Sequence, residues 1–212
     1  MKKLSLILVS FFLILKVAYA NTYSSDPEIF IKELVSDAIN KLSDKNISEE
    51  EKKNFIENIA VENVDINALG LYTLGELRKS ADKNDIIKYQ ESFKKYFLKS
   101  LTSRLTDYSS NKFEVISAEK KSSNYTIVKS KISKSQNQPE IKIDWRIYTK
   151  NPDKPLIRDL IVEGLSLART QKEEFKSIIQ NNNGDISYLF KSLEQFIIKW
   201  MVGPPGLEPG TN

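Results

Sequence analysis

Hydrophobic positions along this chain change period twice. From Asp26 to about Ala81 they recur at helical spacing, and a long helical stripe follows. From Phe113 they alternate in twos, and past Thr170 the helical spacing returns. Helices, then strands, then helices predict an α+β domain in which several helices pack on an antiparallel sheet of about four strands.

The helix signals are specific. Asp26-Pro27-Glu28 is a helix start, with proline at a position whose missing N–H has no intrahelical partner. Ile31, Leu34, Val35, Ala38 and Leu42 then fall on one face. Ser48 and Glu51 make a capping box for a second helix with Phe55, Ile56 and Ile59 on its apolar side. A long helix from about Asp85 to Asp107 carries Ile86, Phe93, Phe97, Leu101 and Leu105 along one stripe. Thr170 and Glu173 form another capping box, Asn183-Gly184 closes that helix, and Asp185 caps the last one.

Four strand segments lie between: FEVISAE, YTIVKSKI, IKIDWRIYT and PLIRDLIVEGLSLA. Polar stretches at 120–124 and 133–139 suit hairpin connections. In the third strand Ile141, Ile143, Trp145 and Ile147 alternate with Lys142, Asp144, Arg146 and Tyr148, so one face is apolar and the other wet or paired. In the fourth, alternation sends Ile157 and Ile161 one way and Leu156, Leu160 and Val162 the other. It reads as a central strand buried on both sides.

The first twenty residues read as an export signal rather than as part of the fold. Lys2 and Lys3 precede an apolar run from Leu4 to Leu15, and Ala18-Tyr19-Ala20 is a small-x-small cleavage site. The run is shorter than the roughly 20 apolar residues of a spanning helix. Cleavage leaves 192 of the 212 residues, enough for one domain from 21 to 200 that buries roughly 70% of its unfolded surface. The last segment, 201–212, is rich in proline and glycine and is expected to be a disordered tail. An exported chain of this kind belongs in the periplasm.

Loss of the leader removes three lysines and no acid, lowering the formal charge from +4 to +1. A balanced surface argues against a nucleic-acid partner. Histidine and cysteine are both absent. Serine–histidine triads, thiol nucleophiles and ordinary zinc sites therefore drop out. The seven glycines form no phosphate loop. Asp144, Arg146, Arg158, Asp159 and Glu163 could share acid and base work, yet cross-strand charge pairing explains them without catalysis. The chain reads as a non-enzyme with no catalytic residue, no metal and no resident cofactor.

Two stretches carry a family likeness. One is Asp144-Trp145 with Asp159, Glu163, Gly164 and Ser166 in the next strand, followed by Glu174-Phe175 and Gly184-Asp185-Ile186. The other is Asp65, Leu74-Gly75, Arg78 and Ala81. In this order and spacing the chain, from about Asp26 to Ile198, resembles the MlaC family of periplasmic phospholipid carriers, also called toluene-tolerance auxiliary proteins. It departs from the family pattern at Leu71, where an arginine is usual, and at Pro155, where many relatives have tryptophan.

The resemblance implies an NTF2-like cone enclosing an apolar pocket between sheet and helices, with the headgroup near solvent. The cargo would be a glycerophospholipid, passed between an outer-membrane lipoprotein complex and an inner-membrane ABC transporter complex by a monomeric carrier. Lining candidates are Leu69, Leu74, Phe93, Phe97, Ile127, Ile143, Trp145, Ile147, Leu160 and Val162. Gly70 and Gly75 are candidate flexible points for opening. The alternatives are a carrier of another apolar cargo such as lipoproteins, and a non-catalytic interaction protein.

Overall fold

The computed structural model describes residues 23–105, 112–133 and 140–201. The leader, the expected helix end at Asp107, the connection 134–139 and the tail beyond 201 lie outside the described residues.

Among the described residues six helices accompany one sheet. Helices α1 (Pro27–Ser43), α2 (Glu49–Asn63), α3 (Ile66–Thr73) and α4 (Lys83–Leu105) come first, with a 3₁₀ turn at Gly75–Lys79 between the last two. Strands β1 (Lys112–Ser122), β2 (Tyr125–Ser133), β3 (Ile141–Tyr148), β4 (Leu156–Val162) and the two-residue β5 (Leu165–Ser166) form an antiparallel meander in chain order. Helices α5 (Leu167–Gln180) and α6 (Ser187–Met201) complete it. The α+β reading holds, with β5 as a short fifth strand. Among the described residues no helix is long and apolar enough to cross a membrane.

The local signals explain the helix starts. Asp26 Oδ1 accepts from the N–H groups of Glu28 and Ile29, and both halves of the Ser48–Glu51 capping box are formed. The predicted cap at Thr170 is corrected: the N-cap of α5 is Ser166, whose Oγ accepts from the Arg169 N–H at 3.0 Å. Thr170 sits inside the helix, its hydroxyl bonded to the Ser166 carbonyl. At the other end, Asn183 and Gly184 take positive φ and the Gly184 N–H closes on the Ile179 carbonyl at 2.9 Å. Asp185 then accepts from the Ser187 N–H at 2.8 Å, in its expected capping role.

Among the described residues apolar packing divides into three clusters. Phe30, Ile31, Leu34 and Val35 of α1 pack on Val128, Ile147 and Ile157 of the sheet. Leu42, Ile56 and Ile59 join α1 to α2. The third cluster is helical, with Tyr89 and Phe93 of α4 against Phe175, Leu189 and Leu193. Tyr89, absent from the predicted stripe, is fully buried and shares a 2.8 Å hydrogen bond with Thr73. Burial pushes its phenol pKa up, against the Thr73 bond.

Strand β4 departs from simple alternation. Trp145 faces Leu160 and Arg146 faces Asp159, but Ile147 faces Ile157, so Arg158 is the extra residue of a β-bulge. Ile157 therefore shares a face with Leu160 and Val162, while Leu156, Asp159 and Ile161 share the other. The predicted division of that strand is corrected accordingly.

Candidate functional site

The bulge directs two consecutive ionisable residues to the sheet face opposite α1. Arg158 stacks over the Tyr148 ring at 3.4 Å and donates from Nη1 to the Tyr125 hydroxyl at 2.9 Å. Its Nε and Nη2 both donate to Asp65 Oδ2, at 2.9 and 2.7 Å. Burial opposes the guanidinium charge, but the bonds to Tyr125 and Asp65 outweigh it and hold the pKa above its ordinary value.

Asp65 is placed by the chain just before it. Val64 forms a parallel bridge with Ile157, and the Asp65 N–H donates to the Ile157 carbonyl at 2.9 Å. From there α3 departs, with Asp65 Oδ1 capping it through the Ala68 N–H at 3.1 Å. One carboxylate thus both starts α3 and pins it to β4.

Asp159 is buried, and each of its oxygens is engaged. Ser166 Oγ donates to Oδ2 at 2.6 Å and the Ala168 N–H donates to Oδ1 at 3.0 Å, fixing the start of α5. Arg146, directly across the ladder, lies 3.7 Å away, an ion pair rather than a hydrogen bond. The β4–β5 hairpin between these groups turns at Glu163 and Gly164, both with positive φ, as a two-residue I′-type turn requires.

Between these elements lies a half-open cavity of about 480 Å³. Helix α3 supplies Ala68, Leu69 and Tyr72, the 3₁₀ turn supplies Arg78, and α5 supplies Ala168. The sheet floor is Tyr125, Arg146, Arg158 and Asp159. The lining is mixed: apolar helix residues face a floor and rim bearing three guanidinium groups. Such a site suits an amphipathic anion, because three guanidinium groups line it against the single carboxylate of Asp159, which already accepts two donors.

The ten predicted lining residues separate into three places. Leu69 lines the cavity and also packs against the helical cluster that contains Leu74, Phe93 and Phe97 at its centre or margin. Ile127 is buried, opposite Arg146 on the ladder and so on the cavity's face of the sheet. Ile143, Trp145, Ile147, Leu160 and Val162 share the other face. There Ile147 is buried, Trp145 and Leu160 pack on the α1 cluster, and the Trp145 indole N–H donates to Ser130 Oγ at 2.8 Å.

Of the two glycines, Gly70 serves close packing: a Cβ there would lie 2.9 Å from Phe93 Cδ1. Gly75 takes φ +65°, which a side chain would strain. Sequence reasoning did not connect Asp65 with Arg158, 93 positions apart, nor did it place Tyr125 and Tyr72 at a cavity. The one visible signal was the pair of adjacent charges, Arg158-Asp159, inside an otherwise apolar strand.

The family model described as MlaC protein matches residues 32–195. A solved structure with the same fold is the phospholipid-binding protein from Ralstonia solanacearum, in complex with a phospholipid. It superposes with a TM-score of 0.68 at 17% identity, covering 81% of this chain and 96% of that one. No curated protein sequence matches the chain.

Proposed function

Because this chain belongs to the MlaC family, with 32–195 matched, we propose that it is a soluble periplasmic carrier of glycerophospholipid. It would pass its cargo, as a monomer, between an outer-membrane lipoprotein complex and an inner-membrane ABC transporter complex. The observation that carries the reading is the amphipathic cavity between α3, α5 and the sheet. The phospholipid held by the Ralstonia solanacearum protein of the same fold supports it.

Acyl chains would enter past Leu69 toward Leu74, Phe93 and Phe97, since Leu69 touches both the cavity and the helical cluster. Burial of each CH₂ contributes about 0.8 kcal/mol, so two chains supply a driving force that needs no tightly specified headgroup site. At about 480 Å³ the cavity is within the ~300–1,000 Å³ range of drug-sized ligands, and a two-chain lipid is larger than these. Movement of α3 away from the sheet would enlarge the cavity for loading, with the Asp65–Arg158 contact as the fastening to be released. We read Asp159 as structural rather than catalytic, because Ser166 and Ala168 already occupy its oxygens.

Native mass spectrometry of the chain isolated from a periplasm without detergent tests the proposal. A discrete added mass that extracts as diacyl phospholipid is expected. A bare chain that takes up nothing from phospholipid vesicles overturns it and favours a non-catalytic interaction protein.

A further inference from the structure

Resting on the carrier reading, we propose that Arg78, Arg146 and the Tyr125 hydroxyl form a phosphate site in the cavity, so that cargo is selected by its phosphate diester and not by its headgroup alcohol. Unspent guanidinium and hydroxyl donors mark the site. Arg158 spends three of its five N–H donors, two on Asp65 and one on Tyr125, and its charge is already paired with Asp65 at 2.7 Å. Arg146 has only an ion pair at 3.7 Å, with its side chain 43% exposed. Arg78 makes one long bond, 3.4 Å, to the Leu71 carbonyl, which does not neutralise it. Two forked cations with free donors therefore line one cavity. Tyr125 accepts from Arg158 through its oxygen, which leaves its own proton to donate.

The guanidinium fork matches two phosphate oxygens, as an ammonium does not. Among the described residues no free carboxylate lines the cavity to meet the far end of a headgroup. The carboxylate in the lining, Asp159, is buried and already holds two donors, so it offers no seat for an ethanolamine or choline cation. The site reads a tetrahedral phosphorus oxyanion, which a lipid or free inorganic phosphate could supply.

The test is uptake by the whole chain from vesicles doped in turn with phosphatidylglycerol, phosphatidylethanolamine or diacylglycerol, each competed with millimolar inorganic phosphate. Wild type should prefer both phospholipids over diacylglycerol by about a hundredfold and barely distinguish between them. That is about tenfold for each arginine, the weight of a partly exposed charge-assisted bond. Arg78→Gln with Arg146→Gln should erase the preference while diacylglycerol uptake persists, and Arg78→Lys with Arg146→Lys should restore part of it.

A glutamine variant that keeps the preference overturns the phosphate site and leaves the carrier intact. If Arg146→Gln disturbs folding, Arg78→Gln alone, on an exposed turn, should still lose about tenfold; no change there also overturns the site. Wild type that takes up no lipid of any kind defeats the carrier reading instead. Inorganic phosphate then decides the site: Arg78, Arg146 and Tyr125 side-chain NMR shifts that saturate in wild type, with the Tyr125 shift lost in the glutamine variant, support it, and wild-type signals that do not move overturn it.

Discussion

Asp65 performs two separable tasks, and a pair of substitutions measures each. Its Oδ1 caps α3 through Ala68, and its Oδ2 receives two donors from Arg158. Losing an N-cap costs about 1 kcal/mol. The charged pair would contribute about 1.5–3 kcal/mol if fully buried. With side chains 25% and 19% exposed, screening reduces this to about 1–2 kcal/mol. Asp65→Ala should therefore destabilise by about 2–3 kcal/mol. Asparagine caps as well as aspartate, but its amide would aim donors at the Arg158 donors, so Asp65→Asn should lose only the ion-pair share.

Urea unfolding followed by circular dichroism reads both. With m near 2 kcal/mol/M, Asp65→Ala should lower the midpoint by about 1–1.5 M at unchanged m, and Asp65→Asn by about 0.5–1 M. Equal losses would show that the cap contributes nothing, and an unchanged Asp65→Asn would remove the pin from the account. If the pin also restrains α3 during loading, Asp65→Asn should exchange lipid between vesicles faster than wild type, although it is less stable.

Three further substitutions have defined outcomes. Gly70→Ala places a Cβ 2.9 Å from the ring of buried Phe93, so it should destabilise by about 1–2 kcal/mol in the same urea assay despite alanine's better helix propensity; a gain in stability would contradict the packing argument. Asp159→Ala strands the Ser166 hydroxyl and the Ala168 N–H, and a loss of about 2–3 kcal/mol by thermal melting is expected; a loss under 1 kcal/mol would mean that water replaces the carboxylate. Glu51 is held below its ordinary pKa first by the Ser48 N–H and then by its hydroxyl. Its contribution is present above the ordinary carboxylate pKa and is lost as pH falls through the lowered one. Ser48→Ala should move the Glu51 midpoint, read by NMR, back up toward the ordinary value; an unmoved midpoint would contradict the Ser48 hydroxyl's share in the shift.

What could be read from the chain was what depends on neighbours in sequence. Asp26-Pro27 and the Ser48–Glu51 box started the helices where expected, and the apolar face of α1 followed its spacing. The cap at Thr170 failed because the same kind of signal occurs four residues earlier at Ser166, where Asp159 also holds the Ala168 N–H. Tyr89 escaped the α4 stripe because a phenol is buried only where a partner waits, and that partner, Thr73, sits on another helix. The lining candidates were chosen for hydrophobicity, and that property alone does not say which face of a sheet a residue occupies. Five of them went to the α1 side, while the cavity floor is made of arginines, tyrosine and aspartate.

The bulge in β4 links these observations. Ile157 and Leu160 are three positions apart, so in an unbroken strand they would face opposite ways. Counting back from Leu160 without a bulge, Arg158 would project among Val128 and Ile147 beneath α1, and Ile157 would be turned out of that cluster. An unpaired guanidinium there would cost several kcal/mol, with the loss of Ile157 burial added. One extra residue avoids both penalties: Ile157 and Leu160 stay on the apolar face, and Arg158 and Asp159 emerge together on the other. Each then meets a separate helix, Arg158 the start of α3 through Asp65 and Asp159 the start of α5 through Ser166 and Ala168. Two adjacent charges at one irregular point thereby set the two helical walls of the cavity, and Arg146 and Arg78 are left with donors to face whatever enters it.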